Sequence, residues 1–506
     1  MEQHGRRERE SSPCASALAT FFLVLGVTSS ALFVAAQPKT APPSDEGPSL
    51  PPVPQNLGSL VGGGLPLDFG KLHEAASEPS FDAWLVAVRR TLHMWPETAY
   101  SERRTSALVQ KLLKEMNIRF TSGWGTNVVG MSEYEKKAAR ARREGTGVVA
   151  EIGTGEEPCV ALRADMDALP ISERIQVPFR SKIDGNMHAC GHDAHTTMLL
   201  GAAALLKHLE PHIKGTVRLI FQPAEEGGAG ALMMREEGVL TTPPRVAFIF
   251  GMHVAPWLPT GEISTKKGVM MAATTTFSIT VKGRGGHAAM PHKNIDPSPA
   301  AAAIVQGLYA IAARETYFTE ESASVISVTQ IKGGSAFNVI PSEYFVAGTI
   351  RALHSKQIRA LQARVADLAA NLAKAFQCEA QVEFDPVGYA ALVNDSGATD
   401  FFVTAAAEAS ISGEVATMEP TMGGEDFAFF LEHVPGTFAM VGIGSAAADR
   451  PGHVPTDRAL HNDAFAVDER VLSRGAALHA LVALRALAHV ASQKTEGGDA
   501  SKKDEL

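Results

Sequence analysis

Thr216-Val217-Arg218-Leu219-Ile220-Phe221-Gln222-Pro223-Ala224-Glu225-Glu226 decides how this 506-residue chain folds. The run to Phe221 reads as a buried strand, closed by Pro223. Two adjacent carboxylates then follow, in Glu225 and Glu226, where charge is costly unless it is paired or bound to a cation. Two further apolar runs end the same way. Cys159 to Arg163 leads into Asp165 and Asp167, and Val246 to Phe250 leads through Gly251 into His253. Longer amphipathic stretches separate the runs, so the expected class is α/β with a mostly parallel sheet. In such sheets ligands collect outside the carboxyl ends of the strands, which makes these residues candidates for one convergent site.

Between the first two runs lies Met187-His188-Ala189-Cys190-Gly191-His192-Asp193-Ala194-His195, followed by an apolar helix from Thr196 to Leu209. Cys190 and His192 sit on the turn entering that helix, where a thiolate is favoured and both side chains can face one cation. A thiolate, imidazoles and carboxylates together suit zinc or another first-row divalent ion such as manganese. Beside such an ion, neighbouring glutamates can divide the labour. One ligates while the other takes a proton from water.

Composition narrows the alternatives. With 45% hydrophobic and 20% charged residues, the bulk is an ordinary globular protein. A net charge of -9, from 46 basic and 55 acidic residues, gives no electrostatic footprint for nucleic acid. Four cysteines are too few for a disulfide framework in a chain this long. Cys190 also lacks the C-x-x-C spacing of a thiol-disulfide enzyme.

The two ends read as addresses. Arg6, Arg7 and Arg9 precede an uncharged run from Ala15 to Ala36, which has the layout of a secretory signal peptide; the run is also long enough for an uncleaved signal anchor. Lys503-Asp504-Glu505-Leu506 is a retrieval signal for the endoplasmic reticulum lumen, so its receptor is an expected partner. Residues 37–80, rich in proline and glycine, read as a linker, with packed structure starting near Phe81.

Several longer motifs, in order, resemble the M20 metallopeptidase family. They are Arg89-Arg90-x-x-His93-x-x-Pro96-Glu97, Arg163 to Pro170, Met187 to His195, Gln222 to Gly227, Gly251-Met252-His253, Gly285-Gly286-His287, Asn338 to Pro341 and Leu460-His461-Asn462. Within the family the chain is similar to the amidohydrolase branch of indoleacetyl-amino acid hydrolases, hippurate hydrolases and aminoacylases. The retrieval signal matches the plant-type, endoplasmic reticulum form.

The resemblance implies two divalent ions, Mn2+ or Zn2+, bridged by Cys190 and held further by His192, Glu226, His253 and His461, with Glu225 as general base. His453 competes locally with His461. Asp165 and Asp167 are expected to orient ligands rather than bind metal. The implied reaction is hydrolysis of small N-acyl amino acids to a free acid and an amino acid. The alternatives are a metallo-dipeptidase or carboxypeptidase on the same fold, and a non-catalytic lumenal binding protein.

Residues 274–386 read as βαββαβ, a ferredoxin-like unit inserted into a Zn-peptidase-like catalytic domain of residues 81–273 and 387–490, with residues 491–506 as tail. In the family this unit covers the site and mediates homodimerisation. His287 would then steady an oxyanion in the partner subunit's site, with Asn338 and Arg351 on the substrate amide and carboxylate. One residue departs from the plant enzymes: Gly424, in Met422 to Phe427, stands where they usually carry serine.

Overall fold

The strand that carries the glutamate pair lies inside an eight-stranded sheet in the computed structural model, which describes residues 50–54, 68–126, 145–316, 323–444 and 454–500. The leader, the retrieval signal, Cys14 and His453 lie outside the described residues. The sheet contains β1 (Arg119–Trp124), β2 (Gly147–Gly153), β3 (Cys159–Asp165), β4 (Thr216–Gln222), β5 (Val246–Pro259), β6 (Ile263–Thr265), β15 (Val415–Thr417) and β16 (Gly436–Gly444), in the order β1-β2-β4-β3-β5-β16-β6-β15. The centre, β4-β3-β5-β16, is parallel, while β1, β2 and β6 join antiparallel. The sheet is thus mixed and mostly parallel, as expected.

Helices cover both faces. On one, Pro79–Met94, His192–Leu209 and Val471–Ala500 pack over a core that includes the fully buried Phe81, Trp84 and Phe465. On the other, the helices Gly230–Glu236 and Ala428–Leu431 close a second core around Phe427, Phe430 and Phe438. Central strands covered on both sides read as continuous apolar runs, and all seven residues of β3 are buried. The Val471–Gln493 segment is long and apolar enough to span a membrane, yet most of it is buried inside the protein as a core helix.

Two boundaries differ from expectation. Packed structure begins before Phe81: Phe69–Ala76 is a helix capped by the Asp68 side chain, and Phe69, Leu72, Ala75 and Ala76 are buried, as is Val53. The prolines and glycines just upstream dominate the local composition and hide that i, i+3 apolar spacing. His253 also lies within a strand rather than after one, because parallel pairing with β16 carries β5 on to Pro259.

The inserted segment forms its own sheet from β8 (Ala273–Lys282), β10 (Ser324–Lys332), β12 (Glu343–Ala352) and β13 (Glu379–Phe384), in the antiparallel order β10-β12-β8-β13. Helices Ser298–Arg314 and Ser355–Ala375 pack on it around a third core that includes Ile279, Ile304 and Val346. This is the ferredoxin-like strand order. A short ribbon of β9 (Gly286–His287) and β11 (Val339–Ile340) projects from it. The entry and exit segments pair as β7 (Gly268–Met271) with β14 (Leu392–Asn394).

Candidate metal centre

The carboxyl edge of the central sheet brings the candidate ligands together. Parallel register sets Asp165 beside Gln222 and Arg163 beside Gly251, so the ends of β3 and β4 and the middle of β5 open on one cleft. Cys190 precedes the first helical residue, His192, across Gly191, whose φ is +88°. A Cβ on Gly191 would stand 2.4 Å from Val254 Cγ2, so glycine alone fits the turn that aims both side chains at β5. His461, also at positive φ, donates its backbone N–H to the Ala189 carbonyl at 2.8 Å. That bond brings the late loop to the cysteine.

Cys190 belongs to two ligand clusters, one with His192 and His253 and one with Glu226 and His461; in each, the candidate ligand atoms lie within 4.8 Å of one another. Cys190 Sγ is 3.2 Å from His253 Nε2. His253 Nδ1–H donates to the Val254 carbonyl at 2.8 Å, which leaves Nε2 as the lone-pair nitrogen facing the sulfur. Neither ring nitrogen of the fully buried His192 has a hydrogen-bond partner. Glu226 Oε1 is buried too and faces His461 Nε2 at 3.1 Å. A buried imidazole left like that of His192 is rare in a protein interior.

His195 is a different case. Its Nε2 accepts the Val254 N–H at 2.9 Å, so Nδ1–H must donate to Asp165 Oδ1 at 2.6 Å. Both nitrogens are committed, and His195 is a strut rather than a ligand.

The charges around the cleft are unbalanced. Asp165, Asp167, Glu225, Glu226, Glu425 and Asp426 gather near one buried guanidinium, Arg163, which bonds Gln222 and Asp165 at 2.8 Å and both Glu425 and Asp426 at 3.0 Å. Burial opposes charge on His192, but Asp165 and Asp167 outweigh it and push its pKa up to about 10. Burial, then Glu226, Glu225 and Asp165, push the Cys190 thiol well above its usual range. Without cations, burial and the surrounding carboxylates outweigh the help that the helix entry gives a thiolate. A thiolate there requires cations, and the sulfur, nitrogen and oxygen donors present fit divalent metal.

Glu225 is 6% exposed, and burial together with Glu425, Glu226, Asp426 and Asp167 raises its carboxyl well above the ordinary range. Its turn is irregular: Ala224 and Gly227 both have positive φ, and Glu226 has a non-helical ψ of 78°. Side chains from three places hold it. Glu102 accepts the Ala224 N–H at 2.9 Å, Asp167 accepts those of Glu225 and Glu226 at 3.0 Å each, and Tyr389 takes that of Gly227 at 2.7 Å. Asp165 thus holds His195, and Asp167 holds the backbone of the glutamate turn.

A cleft of about 510 Å³ opens beside these groups, lined by Cys190, Glu225, Glu226, His253 and His461 on one side and by Thr274, Thr349 and Arg351 from the inserted unit on the other. Arg351 anchors one guanidinium N–H on the Met422 carbonyl at 2.6 Å. His287 and Asn338 do not line this cleft; they are exposed together on the β9–β11 ribbon. Tyr389, Glu425 and Glu102 did not stand out in the sequence. An acidic pair, Glu425-Asp426, between Gly-Gly and an aromatic run was the one available signal.

Residues 161–485 match peptidase family M20/M25/M40. The chain is 39% identical over 434 residues to an Arabidopsis thaliana protein named IAA-amino acid hydrolase ILR1-like 4, covering 85% of this chain and 91% of that protein. It is 36% identical over 400 residues to N-acetylcysteine deacetylase of Bacillus subtilis, covering 78% and 95%. Among solved structures, a dinuclear metal-binding peptidase of the M20 family from Bacillus subtilis superposes with a TM-score of 0.64 at 34% identity, covering 81% of this chain and 99% of that one. The paired ligand clusters around Cys190 are what such a centre needs, and the chain belongs to peptidase family M20/M25/M40 as a metal-dependent amidohydrolase or peptidase.

Proposed function

We propose that the chain hydrolyses the amide of small N-acyl amino acids, indoleacetyl-amino acid conjugates among them, to a carboxylic acid and an amino acid. One observation carries the reading: Glu225, the ligand clusters and Arg351 face a single cleft. The named activities of the two relatives support it, since both concern N-acylated amino acids.

Cys190, His192, Glu226, His253 and His461 would hold the two divalent ions, Mn2+ or Zn2+, which supply Lewis acidity to the amide carbonyl and to water. Glu225, made unusually basic for a carboxylate by burial and its acidic neighbours, takes the proton of the attacking water and passes it to the departing amino nitrogen. Arg351 fixes the substrate carboxylate across the cleft and so aligns the amide with Glu225. His287 and Asn338, exposed on their ribbon, reach the oxyanion and amide of a second subunit's substrate in a homodimer joined through the inserted unit. The proposed location is the endoplasmic reticulum lumen, with the retrieval receptor as a partner; the leader-like run and Lys503-Asp504-Glu505-Leu506 support this reading.

The deciding experiment offers purified protein, loaded with Mn2+ and Zn2+ in turn, a panel of indoleacetyl-, benzoyl- and acetyl-amino acids beside free dipeptides. N-acyl amino acids are expected to give the higher kcat/KM by at least about tenfold, the scale a mispaired buried charge imposes. Faster turnover of free dipeptides would replace this reading with a dipeptidase, and no metal-dependent turnover would replace it with a binding protein.

A further inference from the structure

Tyr389 lies on the segment that returns from the inserted unit to the central sheet, between β13 and β14. Its backbone pairs with the outgoing segment in both directions, Thr274 N–H to the Tyr389 carbonyl at 3.0 Å and Tyr389 N–H to the Thr274 carbonyl at 2.7 Å. The two covalent connections of the inserted unit are thereby locked side by side, with β7 and β14 continuing the pairing. The preceding Gly388 has φ +57°, and a Cβ there would stand 2.6 Å from the Thr274 carbonyl oxygen.

The Tyr389 side chain leaves this hinge and enters the cleft. Its hydroxyl donates to the Glu225 carbonyl and accepts the Gly227 N–H, while its ring meets Phe429 edge-on at 6.1 Å. The Glu225–Gly228 turn is kinked, with non-helical dihedrals at Glu226 and Gly227, so the clamping side chains help determine where the Glu225 carboxyl points. The Glu102 and Asp167 clamps come from the body of the central domain. Tyr389 comes from the hinge.

We infer that Tyr389 is a positioning residue that couples the hinge of the inserted unit to the orientation of Glu225, so that displacement of the unit alters the aim of the base. The inference rests on Glu225 acting as the base of amide hydrolysis. It adds that the inserted unit, besides supplying Arg351, sets the reactivity of a residue it does not itself contain.

The test starts from the metal-loaded full chain and the N-acyl amino acid it turns over fastest. Failure of the wild type to hydrolyse any of them strikes the functional reading and the coupling with it; where the wild type turns over, the variants address the coupling alone. Tyr389→Phe keeps the ring on Phe429 and removes the hydroxyl. Its kcat is expected to fall by about ten- to a hundredfold, the scale on which a base displaced by an ångström loses rate, with KM and bound metal within about twofold of wild type. Gly388→Ala keeps the hydroxyl but disturbs the hinge, and it is expected to lower kcat alone while adding nothing in the Tyr389→Phe background. Melting curves identify any variant that does not fold, and the Gly388→Ala protein then carries the test by itself. A Tyr389→Phe enzyme with kcat within twofold of wild type, a Gly388→Ala enzyme with unchanged kcat, or additive effects in the double variant would each overturn the coupling.

Discussion

The His461 amide donates to the Ala189 carbonyl, one residue before Cys190, and this single 2.8 Å bond joins the late loop to the turn that carries the cysteine and His192. The ring stands 3.1 Å from Glu226 and, with 52% of its side chain exposed, forms the outer wall of the cleft. His461→Ala keeps the backbone bond and deletes the ring. Bound metal should drop from two ions toward one per subunit by elemental analysis, with turnover down at least about a hundredfold. Two ions retained at normal affinity would remove His461 from the ligand set.

Glu225→Gln preserves shape and the clamped backbone but cannot carry a proton. Metal content should stay at two ions while kcat falls by about 10²–10⁴-fold, the range assigned to a positioned base. Activity within tenfold of wild type would transfer the proton work to another group.

Cys190→Ser replaces the atom shared by both ligand clusters with a harder, less acidic one. Both ions should be lost more readily to a chelator titration, and the apo-like protein should melt earlier, because binding energy at such a centre is folding energy. An unchanged chelator midpoint would refute the shared role.

Arg163→Met tests the charge behind the site. The substitution leaves Asp165, Glu425 and Asp426 facing one another in a dry interior, and removing one partner of a buried pair typically costs about 3–5 kcal/mol. Urea denaturation with metal chelated from both proteins should show a loss of that size. A loss under about 1 kcal/mol would mean that the carboxyls simply hold protons.

His93 gives a pH dependence away from the metal ligands. Burial and Arg89 disfavour its charged form, but Asp193 at 2.8 Å and Glu173 at 3.2 Å outweigh them and raise its pKa above 6.5. The native state therefore holds a proton that the unfolded chain releases. Its contribution is complete below pH 6.5 and is lost as pH rises through the native value. His93→Gln should flatten the alkaline decline in unfolding free energy measured from pH 6 to 9, and an identical slope in both proteins would exclude His93 as its source.

What could be read from the sequence follows from how local the causes are. The β3, β4 and β5 runs were legible because buried parallel strands are apolar throughout, and their ligands because charge after such a strand requires a partner. The inserted βαββαβ unit was legible from alternating and helical periods. The Phe69–Ala76 helix was missed because its apolar spacing is brief and its flank is proline and glycine. Tyr389, Glu102 and the commitment of both His195 nitrogens depend on contacts between distant segments, and no spacing announces them. The rise of the Cys190 thiol was not legible for the same reason, since burial and the carboxylates of Glu226 and Glu225, on the turn after β4, act on it from outside its own segment.

Strand β16 sits between β5 and β6 inside the central sheet, although among the described residues it is the last strand made. As the chain emerges from the ribosome, β5 and β6 must wait, unbridged, until residues 436–444 arrive, and the Val471–Ala500 helix that covers them comes later still. A nascent chain stopped before residue 436 would hold Cys190, His192, Glu226 and His253 yet lack both β16 and His461. The ligand group of Cys190, Glu226 and His461 is therefore complete only in the nearly finished polypeptide, while that of Cys190, His192 and His253 is already encoded.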